Sequence, residues 1–223
     1  LCFVESLSGD GLALGPDDRH HLTRVLRVRP GDEVTASDGR GAWRSCTLGD
    51  HDSLVPSGEV VVEPSVPVRT VAVAVLKGDR NELVVQKLTE LGIDRIVFFT
   101  AARSVTRWDE TRAAKQAARF ARVAREAAMQ CRRVRLAEVV VGASVADVAA
   151  LGVVGVAEPG GARPSLELEA LAVGPEGGFE PDELASFSTH VVLGPHILRA
   201  ETAAIAAGTL LSALRAGVVT QRD

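Results

Sequence analysis

Apolar and polar positions are spaced differently in the two parts of this chain. Up to about residue 65 the apolar residues come in short, strand-length groups at 3–5, 33–36, 42–47 and 59–62. Turn chemistry at Pro30-Gly31-Asp32 and Ser37-Asp38-Gly39 separates them. One predicted helix, residues 17–26, interrupts the strands, with Pro16 at its first turn. Such a texture belongs to a small β-barrel-like module. Glu63-Pro64-Ser65-Val66-Pro67 reads as a linker, because two closely spaced prolines oppose both a helix and a central strand.

Beyond the linker the pattern lengthens. Residues 71–76 form an unbroken apolar run, as expected of a parallel strand covered on both faces. Helices are predicted over 79–91, with Val84, Val85, Leu88 and Leu91 inward, and over 111–129. Asp79 and Glu82 have capping-box-like spacing at the start of the first. Strands are predicted at 93–100, 152–157, 168–173 and 191–193. The closing helix, 200–214, is almost wholly apolar, which calls for burial all round, inside the domain or in a subunit interface. Strands alternating with helices give an α/β domain with a mostly parallel sheet.

Composition narrows the function classes. The hydrophobic fraction of 46% supports a real core, and 24% charged residues is ordinary for a soluble protein. No apolar run approaches the roughly 18–20 residues of a bilayer span, and no signal-peptide pattern opens the chain, so the expected location is the cytoplasm with no membrane partner. Cys2, Cys46 and Cys131 make neither a disulfide framework nor a metal pattern, and the adjacent His20 and His21 would diverge on a helix, so no metal site is expected. Cys131, followed by Arg132 and Arg133, reads first as a structural thiol and second as a thiolate. The net charge of −4 conceals an asymmetry: residues 1–67 carry six arginines against eleven carboxylates, and residues 103–135 carry ten basic residues against three acidic ones. That local excess is the footprint of a polyanion partner. Arg112, Lys115, Arg119 and Arg122 recur at helical spacing and form one stripe with Arg125 beside it, so the helix offers either a solvated face or a phosphate-binding one.

Two loops hold the candidate small-molecule chemistry. Val173-Gly174-Pro175-Glu176-Gly177-Gly178 and Leu193-Gly194-Pro195-His196-Ile197-Leu198-Arg199-Ala200-Glu201 each follow a short apolar run. Glycine lets a backbone approach a ligand closely, and loops at the carboxyl ends of strands line the crevice of an open α/β sheet. Neither loop fits GxxxxGK[ST] or GxGxxG, so a cradle for an adenosine-like group fits better than a triphosphate site. Arg103, at the end of another predicted strand, would face the same crevice.

These residues, with Lys77-Gly78-Asp79, Gln86 to Gly92, Arg103-Ser104-Val105 and Gln130-Cys131-Arg132-Arg133, resemble in order the motifs of the RsmE family; His21 to Arg27 and Pro30-Gly31-Asp32 are similar to its N-terminal module. The family belongs to the SPOUT methyltransferases. The resemblance implies a PUA-like RNA-binding barrel over residues 1–67 and a SPOUT α/β domain over 70–223 with a trefoil knot. It implies S-adenosyl-L-methionine-dependent methylation of N3 of a uridine, conventionally uridine 1498, in the 16S rRNA of the 30S subunit. It also implies a homodimer. Cofactor contacts would come from Val156, Ala157 and Glu158, from Val173 through Gly178, and from Leu193, Gly194, Ile197 and Leu198. Arg24, Arg27, Arg112, Lys115, Arg119, Arg122 and Arg133 would meet rRNA, and Arg103, Arg199 and Glu201 would lie nearest the uracil. The chain departs from the family pattern at His196, often Arg, at Met129, often Glu, and at Leu1-Cys2, where an Arg often precedes the first Phe. An arginine donating to a uracil carbonyl would stabilise the imide anion, with Glu201 orienting the arginine or relaying the proton. Two other readings stay open: a SPOUT methyltransferase for another RNA such as tRNA, and a non-catalytic RNA-binding module.

Overall fold

Leu1–Val66 with Ala128–Leu136 form one unit, and Pro67–Ala127 with Ala137–Asp223 form another. The structure, a computed structural model, describes residues 1–25, 27–50 and 53–220, the side chains of residues 17 and 25 apart.

In the first unit the strands are β1 (Cys2–Phe3), β2 (Leu12–Ala13), β3 (Glu33–Ser37), β4 (Ala42–Leu48), β5 (Ser53–Pro56) and β6 (Val61–Val62). They form a sheet in the order β1-β3-β4-β5-β2, with β6 also paired to β4. Only the β1–β3 pairing is parallel. The interrupting helix lies where its sequence suggests but is less regular. It runs as α1 (Pro16–His20) and then opens into a π-helical turn, His21–Val25; Leu26, its predicted last residue, lies outside the described residues. Cys2, Leu12, Leu22, Val34, Ala36, Cys46, Leu48 and Leu54 fill the core. Burial pushes the Cys46 thiol up, so this cysteine behaves as a packed apolar group.

The second unit comprises β7 (Thr70–Ala74), α2 (Arg80–Glu90), β8 (Arg95–Thr100), α3 (Glu110–Cys131, its last four residues counted with the first unit), β9 (Glu138–Ser144), α4 (Val145–Ala149), β10 (Val154–Ala162), β11 (Ala170–Val173), α5 (Pro181–Leu184), β12 (Thr189–Val191) and α6 (Ala200–Arg215). Its six strands are all parallel, in the order β12-β10-β11-β7-β8-β9. The run that reads as a doubly covered strand is the fully buried β7. Its odd and even residues serve two cores. Val71 and Val73 face a cluster with Val84, Val85, Leu88, Phe120, Ala204 and Leu211, from α2, α3 and α6. Ala72 and Ala74 lie in a second cluster with Phe99, Val145, Val148, Phe179 and Phe187. Alanines on that side leave room for three aromatic rings: Phe179 stacks on Phe99 with centroids 6.0 Å apart and lies 5.6 Å from Phe187.

Three local outcomes differ from the pattern-based reading. Asp79 stands at the N-cap of α2 in a helical conformation and its side chain caps nothing. Asn81 closes that turn instead: its Oδ1 accepts from Leu76 N at 2.9 Å, and its Nδ2 donates to Leu76 O at 2.8 Å and Gly78 O at 3.2 Å. On α6, the buried residues Ala203, Ala204, Ala207, Gly208, Leu211 and Leu214 fall on one side, while Ile205, Ala206, Leu210 and Ala213 are only partly covered within one chain. Finally, Ala157 and Ala162 of β10 both pair with Val191 of β12, so residues 158–161 bulge out of the ladder. A Cβ on Gly161 would stand 2.5 Å from the Val191 nitrogen, which makes glycine a requirement there. Among the described residues no helix is long and apolar enough to cross a membrane.

Candidate active site

β7, β8 and β9 step outward on one side of the sheet, and β11, β10 and β12 lie on the other. The carboxyl-terminal parts of β10, β11 and β12 are therefore neighbours, and the bulge of β10 with the segments leaving β11 and β12 encloses a cleft of about 710 Å³. The bulged part of β10 contributes Ala157, Glu158, Pro159 and Gly160; the end of β11 and the turn after it contribute Val173 to Glu176, Gly178 and Phe179; the segment after β12 contributes Val192 to Arg199, followed by Ala200 and Ala203 of α6.

The turn after β11 is shaped from beneath and from within. Gly178 N donates to Pro175 O at 2.9 Å, with Gly178 at φ +73°. A Cβ on Gly174 would approach the Phe179 ring to 2.6 Å, so this glycine lets the turn lie flat on the aromatic stack. Gly194 is the opposite case: nothing stands within 4 Å of where its Cβ would project. Ile197, 89% exposed, and the exposed His196 rim the cleft.

The charged groups are organised in pairs. Arg103 Nε lies 2.8 Å from Glu180 Oε1, and its Nη1 donates to Gly177 O at 3.3 Å. Glu183 accepts from Ala102 N at 2.7 Å and from Glu180 N at 2.9 Å, so the chain leaving β8 is clipped to the turn after β11. Arg80 Nη1 lies 3.1 Å from Glu176 Oε1 and 3.6 Å from Glu201 Oε2. That Glu201 oxygen is buried with no hydrogen-bond partner among the described residues, and the side chain is only 14% exposed. Arg199, at the N-cap of α6, has an exposed side chain without an ion pair or hydrogen bond among the described residues. Among those residues no group of three His, Cys, Asp or Glu could hold a metal ion.

The sequence profile of an RNA methyltransferase domain matches residues 63–212, and that of an RNA methyltransferase PUA domain matches residues 14–54. Ribosomal RNA small subunit methyltransferase E of Mycobacterium tuberculosis (strain CDC 1551 / Oshkosh) is 34% identical, over 100% of this chain and 92% of its own length. The chain belongs to the ribosomal RNA small subunit methyltransferase E family. Among solved structures, a Legionella pneumophila chain determined with the cofactor SAM bound is 26% identical and superposes with a TM-score of 0.79, covering 95% of this chain and 96% of that one. The Neisseria gonorrhoeae family member, solved bound to S-adenosyl methionine, shares the fold at a TM-score of 0.77 and 24% identity, over 96% of each chain.

For this family member, most residues expected at the cofactor do line the cleft. Two do not: Val156 is wholly buried within β10, and Gly177 packs against Arg103. Of the three residues expected nearest the base, only Arg199 lines the cleft; Arg103 lies against the flank of the turn after β11, and Glu201 is held by Arg80. Pro159, Gly160, Val192 and Phe179 complete the walls, and Arg80 and Glu180 supply the charge partners. Sequence signals for these were slight, beyond the nearness of Arg80 to the Lys77-Gly78-Asp79 motif.

Along α3, Arg112, Lys115 and Arg122 are exposed and make no ion pair among the described residues, whereas Arg119 pairs with Glu82 at 2.7 Å. In the first unit Arg24 and Arg27 are exposed, Arg27 at φ +55°, and Arg133 is half-buried. Met129 packs with Phe3, Ala128 and Leu136, so the position that often carries Glu is apolar here.

Proposed function

We propose that this protein methylates N3 of a uridine, the equivalent of uridine 1498, in 16S rRNA of the 30S subunit, using S-adenosyl-L-methionine. One observation carries the reading: a cleft of about 710 Å³ built by the bulge of β10 and the segments leaving β11 and β12. Its walls fit an adenosine-bearing cation. Val173, Leu193, Leu198 and Phe179 provide apolar surface, the Gly194 backbone borders open space, and the carboxylates of Glu158 and Glu176 suit a positively charged group. Ala157, the 173–178 turn and the 193–198 segment would hold the cofactor. When bound, S-adenosyl-L-methionine supplies a sulfonium methyl group as the electrophile.

The chain's own work is then to position the base and manage one proton. Uracil N3 is protonated at neutral pH and becomes nucleophilic only on losing that proton. Arg199, in the cleft and with no ion pair among the described residues, donates to a uracil carbonyl and stabilises the imide anion, the role that Arg103 would otherwise take. Glu201, two residues along the chain from Arg199 in the first turn of α6, orients that arginine or relays the proton. Residues 1–67 act as a PUA-like RNA-binding barrel, and Arg24, Arg27, Arg133 and the α3 stripe contact rRNA phosphates. In residues 70–223 the β10–α6 segment is threaded as a trefoil knot, and the partly covered face of α6 packs in a homodimer. The expected location is the cytoplasm.

The test is transfer of labelled methyl from S-adenosyl-L-methionine to 30S subunits lacking the modification, with the product nucleoside mapped by mass spectrometry. The expected product is 3-methyluridine at position 1498. Transfer to tRNA alone would replace the substrate, and absence of cofactor binding would overturn the enzymatic reading.

A further inference from the structure

Arg80 joins two of the three segments that build the cleft. It is the first residue of α2, and α2 is firmly seated: Val84, Val85 and Leu88 are fully buried, and α6 comes so close that a Cβ on Gly208 would stand 2.4 Å from Leu88. From that base the Arg80 guanidinium reaches Glu176, in the turn after β11, and Glu201, in the first turn of α6. Glu176 is 48% exposed, and among the described residues Arg80 is its side-chain partner. Both carboxylates approach one nitrogen, so without the cation two negative charges would face each other across the back of the turn.

We propose that Arg80 is a positioning residue for the cofactor turn: it ties residues 174–178 to α6 through Glu176 and Glu201. This rests on the cofactor reading given above. Both carboxylates meet the same terminal nitrogen, Nη1, which carries two N–H groups, so a lysine ammonium reaching that place would restore part of the tie.

Calorimetric titration of S-adenosyl-L-methionine into unliganded wild type, Arg80→Ala, Arg80→Lys, Glu176→Gln and the Arg80→Ala/Glu176→Gln pair tests this, together with amide hydrogen exchange of residues 176–178. Arg80→Ala is expected to bind about two- to five-fold more weakly, the scale of a half-exposed ion pair. Exchange in the turn should quicken while the thermal midpoint of the unliganded protein stays near wild type. Arg80→Lys should recover part of the loss. In the double variant exchange of the turn should be no faster than in Arg80→Ala, since the Glu176 change only removes a contact already lost with Arg80. Wild-type affinity in Arg80→Ala, or unchanged exchange in the turn, would overturn the proposal. If the wild type takes up no cofactor, the cofactor reading fails, and the exchange comparison alone decides whether Arg80 secures the turn.

Discussion

A methyl group added at position 174 would meet the Phe179 ring at 2.6 Å, and that ring cannot retreat, being 5% exposed, stacked on Phe99 and backed by the tilted ring of Phe187. Gly174→Ala must therefore lift the turn after β11 or push the ring into the second core. Overpacking of this kind costs about 1–3 kcal/mol, which lowers the thermal midpoint by roughly 3–10 °C at this chain length. Gly194 gives the contrasting case, since its missing Cβ would meet nothing within 4 Å and the residue lines the cleft. Gly194→Ala should leave the thermal midpoint within about a degree of wild type and weaken S-adenosyl-L-methionine binding. Thermal unfolding and calorimetry on both variants check the pair. Equal loss of stability in the two would mean that the cleft is not open space at Gly194. Nothing in the string of glycines separates these two positions, because the distinction depends on Phe179 and on where the chain returns in space.

At the scale of an element, the entrance to α2 turns on Asn81 and not on Asp79. Asn81 is 3% exposed and satisfies both the N–H and the C=O of Leu76, so Asn81→Ala leaves two buried backbone groups unpaired. The expected cost is about 2–3 kcal/mol, whereas Asp79→Ala, which removes an exposed side chain that caps nothing, should stay within about 0.5 kcal/mol. Denaturant midpoints for the two variants measure this, and a larger loss from Asp79→Ala would restore the capping box. The sequence spacing pointed to the wrong residue because it registers a plausible cap but not the direction of the incoming strand. Long periodic segments were legible: β7, β8, α3 and α6 lie where apolar runs and helical spacing put them. Others were not. β2 has two residues and α5 four, too few to show a period, and the valines of β9 lie on an edge where half-burial blurs the alternation. At the site, the glycine turns stood out by composition. Their charge partners did not, since Arg80 and Glu176 are 96 residues apart and Arg103 and Glu180 are 77 apart.

Across the whole molecule, a net charge of −4 has to coexist with a nucleic-acid partner. Binding at such a protein depends on where the cations stand, because counterions are released at the phosphates that are actually contacted. Residues 103–135 hold the basic excess, and along α3 the exposed side chains of Arg112, Lys115 and Arg122 have no internal partner among the described residues. Arg119 differs, since its pair with Glu82 means that removing it also strands a carboxylate. The clean test is therefore Arg112→Ala/Lys115→Ala/Arg122→Ala, with alanine maintaining helix propensity. If each of the three contacts one phosphate, the slope of log affinity for 16S rRNA against log salt should fall by about 2–3, at roughly 0.7–0.9 per contact. S-Adenosyl-L-methionine binding should stay at the wild-type level, because none of the three lines the cleft. A filter-binding series at several salt concentrations reads the slope directly. An unchanged slope would make the stripe a solvated face and leave Arg24, Arg27 and Arg133 as the residues through which the phosphate backbone is met.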